Sequence, residues 1–296
     1  MPLKLVELFG YAPEDNSEVA IEQRKSCNCP FIGGGCIKKF KSGLVSGACT
    51  LKPTTSEPVI CCPNRLYGDA YKVLLDVAVD AFGPDMRLSR TQAESLGDGR
   101  DVVVFGKHWG KELRLPSRIS GGGYFVDWIL ARLAPDRSLA EFVAIELQTM
   151  DTTGSYEAQV HGMLGTGIVL PEKSSNINWE NVSKRILPQI IFKGHVLRQE
   201  KLCKKGMYFI CPSPVYKRII ARLGGSLRPY HPQPGSLAFR QYDVGEPVAA
   251  GSVRTLVFKG QMITTVDQVA LAFTSPSNLP AAGVYEQAIR AELSEQ

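Results

Sequence analysis

The stretch Phe125-Val126-Asp127-Trp128-Ile129-Leu130-Ala131-Arg132-Leu133, followed a few residues later by Phe142-Val143-Ala144-Ile145-Glu146-Leu147-Gln148-Thr149-Met150, decides the reading of this chain. Both runs are apolar and strand-like, and Asp127, Glu146 and Gln148 are almost the only polar groups at their centres. A carboxylate is costly to bury on a strand unless something compensates it. Asp127 and a Glu-x-Gln pair on neighbouring strands therefore point to a bound divalent cation. Side chains alternate along a strand, so Glu146 and Gln148 are expected on one face.

Outward from these strands the pattern is α/β. Leu66, Tyr67, Ala70, Tyr71, Leu74, Leu75, Ala78, Val79 and Phe82 recur at helical spacing until Gly83-Pro84 stops them. Val102 to Phe105 reads as a short buried strand. Beyond Met150, a helix is expected over Ser155 to Leu164, then a long Gly/Ser/Asn-rich loop through Asn178. Asn178 is placed to cap a helix from Trp179, which Pro188 splits in two. Tyr208 to Cys211 is a strand, Ser213-Pro214 starts a helix ending near Leu223, and strands follow near Leu237 to Tyr242 and Leu256 to Phe258. Two helical patterns, Val266 to Phe273 and Val284 to Leu293, complete the order.

A chain of 296 residues with 44% hydrophobic content can bury a proper core. No apolar run approaches the roughly 20 residues of a membrane span, so no membrane partner is expected. The start Met1-Pro2-Leu3-Lys4, then Glu7, lacks the basic and apolar segments of a signal peptide, which makes the cytoplasm the expected location. The net charge of +5 permits a polyanionic partner without demanding one.

The cysteines are unevenly placed. Six of eight, Cys27, Cys29, Cys36, Cys49, Cys61 and Cys62, fall within the first 62 residues. In a cytoplasmic protein such clustering favours a thiolate metal site over disulfides. Glycines before Cys36 and Cys49 let the backbone curl so that sulfurs converge on one ion. The favoured ligands are Cys29, Cys36, Cys49 and Cys62, with Cys27 and Cys61 as alternates; the competing reading is reduced cysteines packed as small hydrophobes. Residues 1–66 are accordingly read as a metal-binding N-terminal module.

Other motifs carry less. His108, His161, His195 and His231 have no metal spacing, Ser155 and Thr152-Thr153 sit in no nucleophile elbow, and Gly121-Gly122-Gly123 lacks the Lys-Ser/Thr of a phosphate-binding loop. Lys107, Lys111, Arg114 and Arg118 flank Glu112 as a basic cluster suited to DNA phosphates, and Thr149 to Tyr156 offers small polar groups for the same purpose.

Helix, three strands, helix, strand, with Asp127 on the second strand and Glu146-x-Gln148 on the third, resembles the PD-(D/E)xK nuclease core, a mixed central sheet flanked by helices. Three segments sharpen the resemblance: Gly106-Lys107 through Gly110-Lys111-Glu112-Leu113-Arg114-Leu115-Pro116, Tyr124-Phe125-Val126-Asp127-Trp128, and Ala144-Ile145-Glu146-Leu147-Gln148-Thr149. With the cysteine-rich start, they look like the NotI-like type II restriction endonucleases over roughly residues 25 to 165. The resemblance implies an active site of Asp127, Glu146 and Gln148, with Asp127 and Glu146 holding Mg2+ and Glu112 as a fourth polar member. It also implies a structural iron or zinc ion on four cysteines, and a homodimer that cuts both strands of a GC-rich palindrome in double-stranded DNA. Carried by the segments around Glu112, Asp127 and Glu146, the resemblance implies that 67–296 is a catalytic domain with C-terminal recognition and dimerisation elements. Glu112 also reads as half of a solvated Lys111-Glu112 pair. The chain departs from the wider nuclease pattern by carrying glutamine rather than lysine at 148, and no proline precedes Asp127. A neutral amide cannot supply the charge that lowers a water's pKa. The alternatives are a repair or transposition nuclease on the same core, and a non-catalytic, metal-containing DNA-binding protein.

Overall fold

The computed structural model describes residues 3–54, 56–115, 124–153, 155–167 and 175–294. It opens with β1 (Leu3–Leu8) and α1 (Glu18–Ser26), then β2 (Ala48–Pro53) and β3 (Val59–Ile60), which join β1 in a small antiparallel sheet. A 3-10 turn over Pro63–Tyr67 leads into α2 (Gly68–Phe82), β4 (Arg87–Ser89) and β5 (Asp101–Gly106). After two-residue strands β6 (Arg114–Leu115) and β7 (Tyr124–Phe125), the long strands β8 (Trp128–Leu133) and β9 (Leu139–Leu147) form an antiparallel hairpin. Next come β10 (Thr152–Thr153), α3 (Glu157–Thr166), β11 (Asn176–Ile177), a π-helical turn over Val182–Ile186 and α4 (Leu187–Arg198). The chain closes with β12 (Met207–Cys211), α5 (Ser213–Arg222), β13 (Ser236–Val244), β14 (Leu256–Thr265), α6 (Val266–Thr274) and α7 (Val284–Ser294).

Seven strands build the central sheet in the order β14-β13-β12-β9-β8-β5-β4. Pairing is parallel at β13/β12, β12/β9 and β5/β4 and antiparallel elsewhere, so the sheet is mixed. The protein is thus a mixed α/β molecule on a central sheet flanked by helices, as its element order predicts. No helix among the described residues is long and apolar enough to cross a membrane.

The pleat sorts the core into two layers. Val104, Trp128, Leu130, Val143 and Ile145 face α2 and bury Val73, Leu74, Val77 and Ala81. The intervening Ile129 and Ala144, with Phe209 and Phe239, face Val160 of α3, Ile190 and Leu197 of α4, Ile219 of α5 and Val269 of α6. Leu5, Leu8 and Leu51 of the small N-terminal sheet belong to this second layer. Glu146, two residues after Ala144, lies on the α4 side of the sheet.

A buried ion pair ties the N-terminal sheet to the rest. Glu7 and Arg65 are both fully buried, with Nε 2.9 Å from Oε2 and Nη2 donating to Oε1 at 3.1 Å. Thr50 donates to the same carboxylate at 2.5 Å. Arg65 Nη2 also donates to the carbonyl of Arg254 at 2.5 Å, and the guanidinium stacks over Phe31. Such a pair tolerates burial only because each charge meets the other and several hydrogen bonds.

Some expectations are corrected in detail. Asp127 is not on a strand; it occupies the junction between β7 and β8. Pro188 divides the helical region as expected, its two parts being a π-helical turn and α4. It lacks an N–H for the carbonyl of Lys184 and crowds that carbonyl, and the preceding turn is π-helical before α4 continues. Asn178 does not cap this segment, and Pro212 rather than Ser213 holds the N-cap of α5.

Candidate functional site

Antiparallel pairing of Trp128 with Ile145 sets Asp127, one residue before β8, level with Glu146. The Asp127 carboxylate accepts the Leu147 N–H at 2.8 Å, which fixes it across the hairpin beside its partner strand. Glu146, flanked on the other side by Phe209 of β12, is 7% exposed. Its Oε1 receives the Lys193 ammonium at 2.5 Å, and its Oε2 is buried with no hydrogen-bond partner.

The electrostatics follow from this packing. Burial, and then the charge of Asp127, push the Glu146 carboxyl up to about 7, against the pull of Lys193. Burial also raises Asp127, with Glu112 adding repulsion, while the Leu147 N–H and Lys193 oppose it. The Asp127 charge thus raises the proton affinity of the buried Glu146 carboxylate beside it, and a cation placed there would relieve that repulsion. The unpartnered Oε2 fits an oxygen-seeking divalent ion such as Mg2+, which takes one or two carboxylates and fills its other positions with water and phosphate oxygens. Among the described residues, no three His, Cys, Asp or Glu side chains gather into a group able to hold a metal ion.

The other expected members stand further off. Gln148 lies just beyond the end of β9, and its side-chain amide donates to the Thr149 carbonyl at 2.6 Å rather than to either carboxylate. Glu112 is exposed and reaches Asp127 only through its field. Lys107 and Lys111 are exposed on the same loop, Arg114 pairs through its backbone with Phe125, and Arg118 lies outside the described residues.

Lys193 is the member that the sequence did not reveal. It comes from α4, 47 residues from its carboxylate partner. Gly194 lets α4 approach α6 closely, since a Cβ there would stand 2.8 Å from a methyl of Val266. Ile190, Gly194 and Leu197 are buried on the same helix, so Lys193 is held over Glu146 by a packed scaffold, its side chain 13% exposed. The one signal in the sequence is a lysine enclosed by Ile190-Ile191-Phe192 and Gly194.

Beside the carboxylates runs an apolar trough of about 730 Å³, floored by Val103, Phe105, Ile129 and Ala131 and walled by Leu197. Val126, adjacent to Asp127, closes one end, and Lys111 lies on its border. Arg90, Thr91, Gln92, Arg137 and Glu200 add polar and charged groups to its lining.

The N-terminal cysteines are drawn into one region but not onto one point. All eight cysteines are free. The Cys36 N–H bonds the Cys27 carbonyl at 2.8 Å, and the Cys61 and Cys62 N–H groups bond the Cys49 carbonyl at 2.9 and 3.3 Å. Burial pushes the Cys62 thiol up to about 12, with Cys61 and Cys36 adding repulsion and Lys38 opposing them. Burial likewise raises Cys49 and Cys61, and Cys62 adds to Cys49. Lys38 donates to the Cys61 carbonyl at 2.9 Å, placing a cation within this group. The expected convergence of Cys29, Cys36, Cys49 and Cys62 into a group able to hold a metal ion is not found among the described residues, although Cys36, Cys61 and Cys62 are near enough to act on one another's charge.

Comparison with family models gives no match, and no curated protein matches significantly.

Proposed function

We propose that this protein is a Mg2+-dependent endonuclease hydrolysing both strands of double-stranded DNA, in the manner of the NotI-like type II restriction endonucleases its motifs resemble. The observation that carries the reading is the buried Asp127/Glu146 pair with Glu146 Oε2 left unpartnered. The placement of the pair at the entrance of β8 and near the end of β9, with α2 behind the sheet and α4 in front, supports the PD-(D/E)xK core.

Asp127 and Glu146 would hold the ion, with the Asp127 carboxylate held in place by the Leu147 N–H. Bound Mg2+ supplies positive charge at the phosphate and makes a neighbouring water more acidic. A water attacks phosphorus in line and the O3′ leaves, giving 5′-phosphate and 3′-hydroxyl ends. The exposed Lys107 and Lys111, with Arg114 and Arg118 on the same segment, serve as phosphate contacts. The resemblance supplies the further reading of a homodimer on a GC-rich palindrome, and of one structural iron or zinc ion on four of the N-terminal cysteines. The common neighbourhood of Cys36, Cys49, Cys61 and Cys62 supports that ion. Its binding requires the Cys27–Cys36 loop to close onto the Cys49–Cys62 pair.

The test is plasmid incubation with Mg2+, with and without chelator, beside Asp127→Ala and Glu146→Ala. Discrete sequence-dependent bands that vanish in both variants are expected. Intact plasmid under every divalent ion tried, with DNA binding retained, would instead mark a non-catalytic DNA-binding protein. Elemental analysis of purified protein checks the cysteine module: one thiolate-bound ion per chain is expected, and two ions or none would contradict the assignment.

A further inference from the structure

We propose that Lys193, delivered from α4, supplies the positive charge that position 148 lacks and places it on the scissile phosphate. The inference rests on the nuclease reading of the Asp127/Glu146 site and assigns that site a catalytic residue beyond the carboxylates. Three observations carry it. Lys193 Nζ is the cation in contact with Glu146, at 2.5 Å, in a site otherwise composed of carboxylates. Gln148, the residue at the usual strand position of a lysine, turns its amide onto the Thr149 carbonyl and leaves the space over Glu146 Oε1 to Lys193. The helix carrying Lys193 is fixed by close packing of Gly194 on Val266, so the ammonium is preorganised rather than drawn from a mobile side chain at the rim.

The contact with Glu146 has a further meaning. A divalent ion held by Asp127 and Glu146 would compete with the ammonium for the same carboxylate and free one of its N–H donors. A phosphate oxygen bound at the same site would be an anion able to receive it. A salt bridge that merely neutralised Glu146 would have no such second partner, and the two roles predict opposite responses to substitution.

The experiment measures Mn2+ binding by calorimetry and plasmid cleavage at saturating Mn2+ for the wild type, Lys193→Met, Lys193→Arg and the double variant Lys193→Met/Gln148→Lys. If the proposal holds, Lys193→Met binds Mn2+ at least as tightly as the wild type yet cleaves roughly a hundredfold more slowly or worse, the scale of losing one preorganised charge-stabilising donor. Lys193→Arg retains part of the rate, and the double variant regains activity by returning an ammonium to the strand. Cleavage by Lys193→Met at the wild-type rate overturns the proposal. So does parallel loss of Mn2+ binding and cleavage without rescue by Gln148→Lys, the signature of a structural ion pair. A wild type that neither binds Mn2+ nor cuts removes the nuclease reading itself, an outcome distinct from a wild type that cuts without needing Lys193.

Discussion

Replacing Asp127 by Asn should make the metal-free protein less sensitive to rising pH. In the folded chain Glu146 is held at about 7 rather than the ordinary 4.5, by burial first and by the Asp127 charge second. Between those values the native state keeps a proton that the unfolded chain has released. Stability from this site is therefore highest below about pH 4.5 and falls as pH rises toward about 7. At about 1.4 kcal/mol for each tenfold change in proton affinity, the displacement corresponds to a loss on the order of 3 kcal/mol. Asparagine retains an oxygen for the Leu147 N–H but removes the charge that adds to the burial effect. The loss should shrink by about 1 kcal/mol. Urea denaturation of both proteins at pH 5 and pH 8, without divalent cations, gives the difference of differences that isolates the pair from other titrating groups. Added Mg2+ at pH 8 should then stabilise the wild type and not the variant. Equal pH sensitivity in the two proteins, or a larger loss in Asp127→Asn, would refute the reasoning, because the carboxylates would not be sensing each other.

Two further outcomes test the scaffold. Arg65→Met strands the fully buried Glu7 carboxylate and should cost about 3–5 kcal/mol in a denaturation midpoint analysis, whereas a cost below about 1 kcal/mol would show that Glu7 is not charged and paired as described. Gly106→Ala would place a Cβ 2.2 Å from the Trp128 ring, which cannot yield without shifting in the α2 layer. It should cost about 1–3 kcal/mol with a changed tryptophan emission, and an unchanged spectrum and melting temperature would contradict that contact.

The hairpin of β8 and β9 and the helix α2 are legible because their signals are local: short continuous apolar runs or helical spacing of Val, Ile, Leu and Ala, with Glu146 as the polar exception at the buried end of β9. Asp127 was recognised as chemistry but placed on a strand. Its carboxylate instead bonds the Leu147 N–H, a cross-hairpin contact that composition does not encode. Lys193 was missed for a related reason. Its contact with Glu146 depends on how α4 is turned after the π-helical segment before Pro188 and on Gly194 meeting Val266, both consequences of tertiary packing. β1 is hidden because Glu7, a charge near the end of the run, finds its compensation in Arg65 and Thr50, both distant in sequence. The cysteines were readable as a cluster, while their grouping depends on loop closure that spacing leaves open.

The buried Arg65 also sets a clock. Its Nη2 donates to the carbonyl of Arg254, 189 residues further along the chain. At the roughly 5–20 residues per second of synthesis, that acceptor emerges on the order of 10–40 s after Arg65. Through this interval Glu7 and Arg65 have each other but not the whole pocket, and the guanidinium must stay partly hydrated. The small sheet of β1, β2 and β3 therefore reaches its final seat only when the last third of the chain arrives. A nascent chain stalled before Arg254 should expose this sheet to proteases that the finished protein resists.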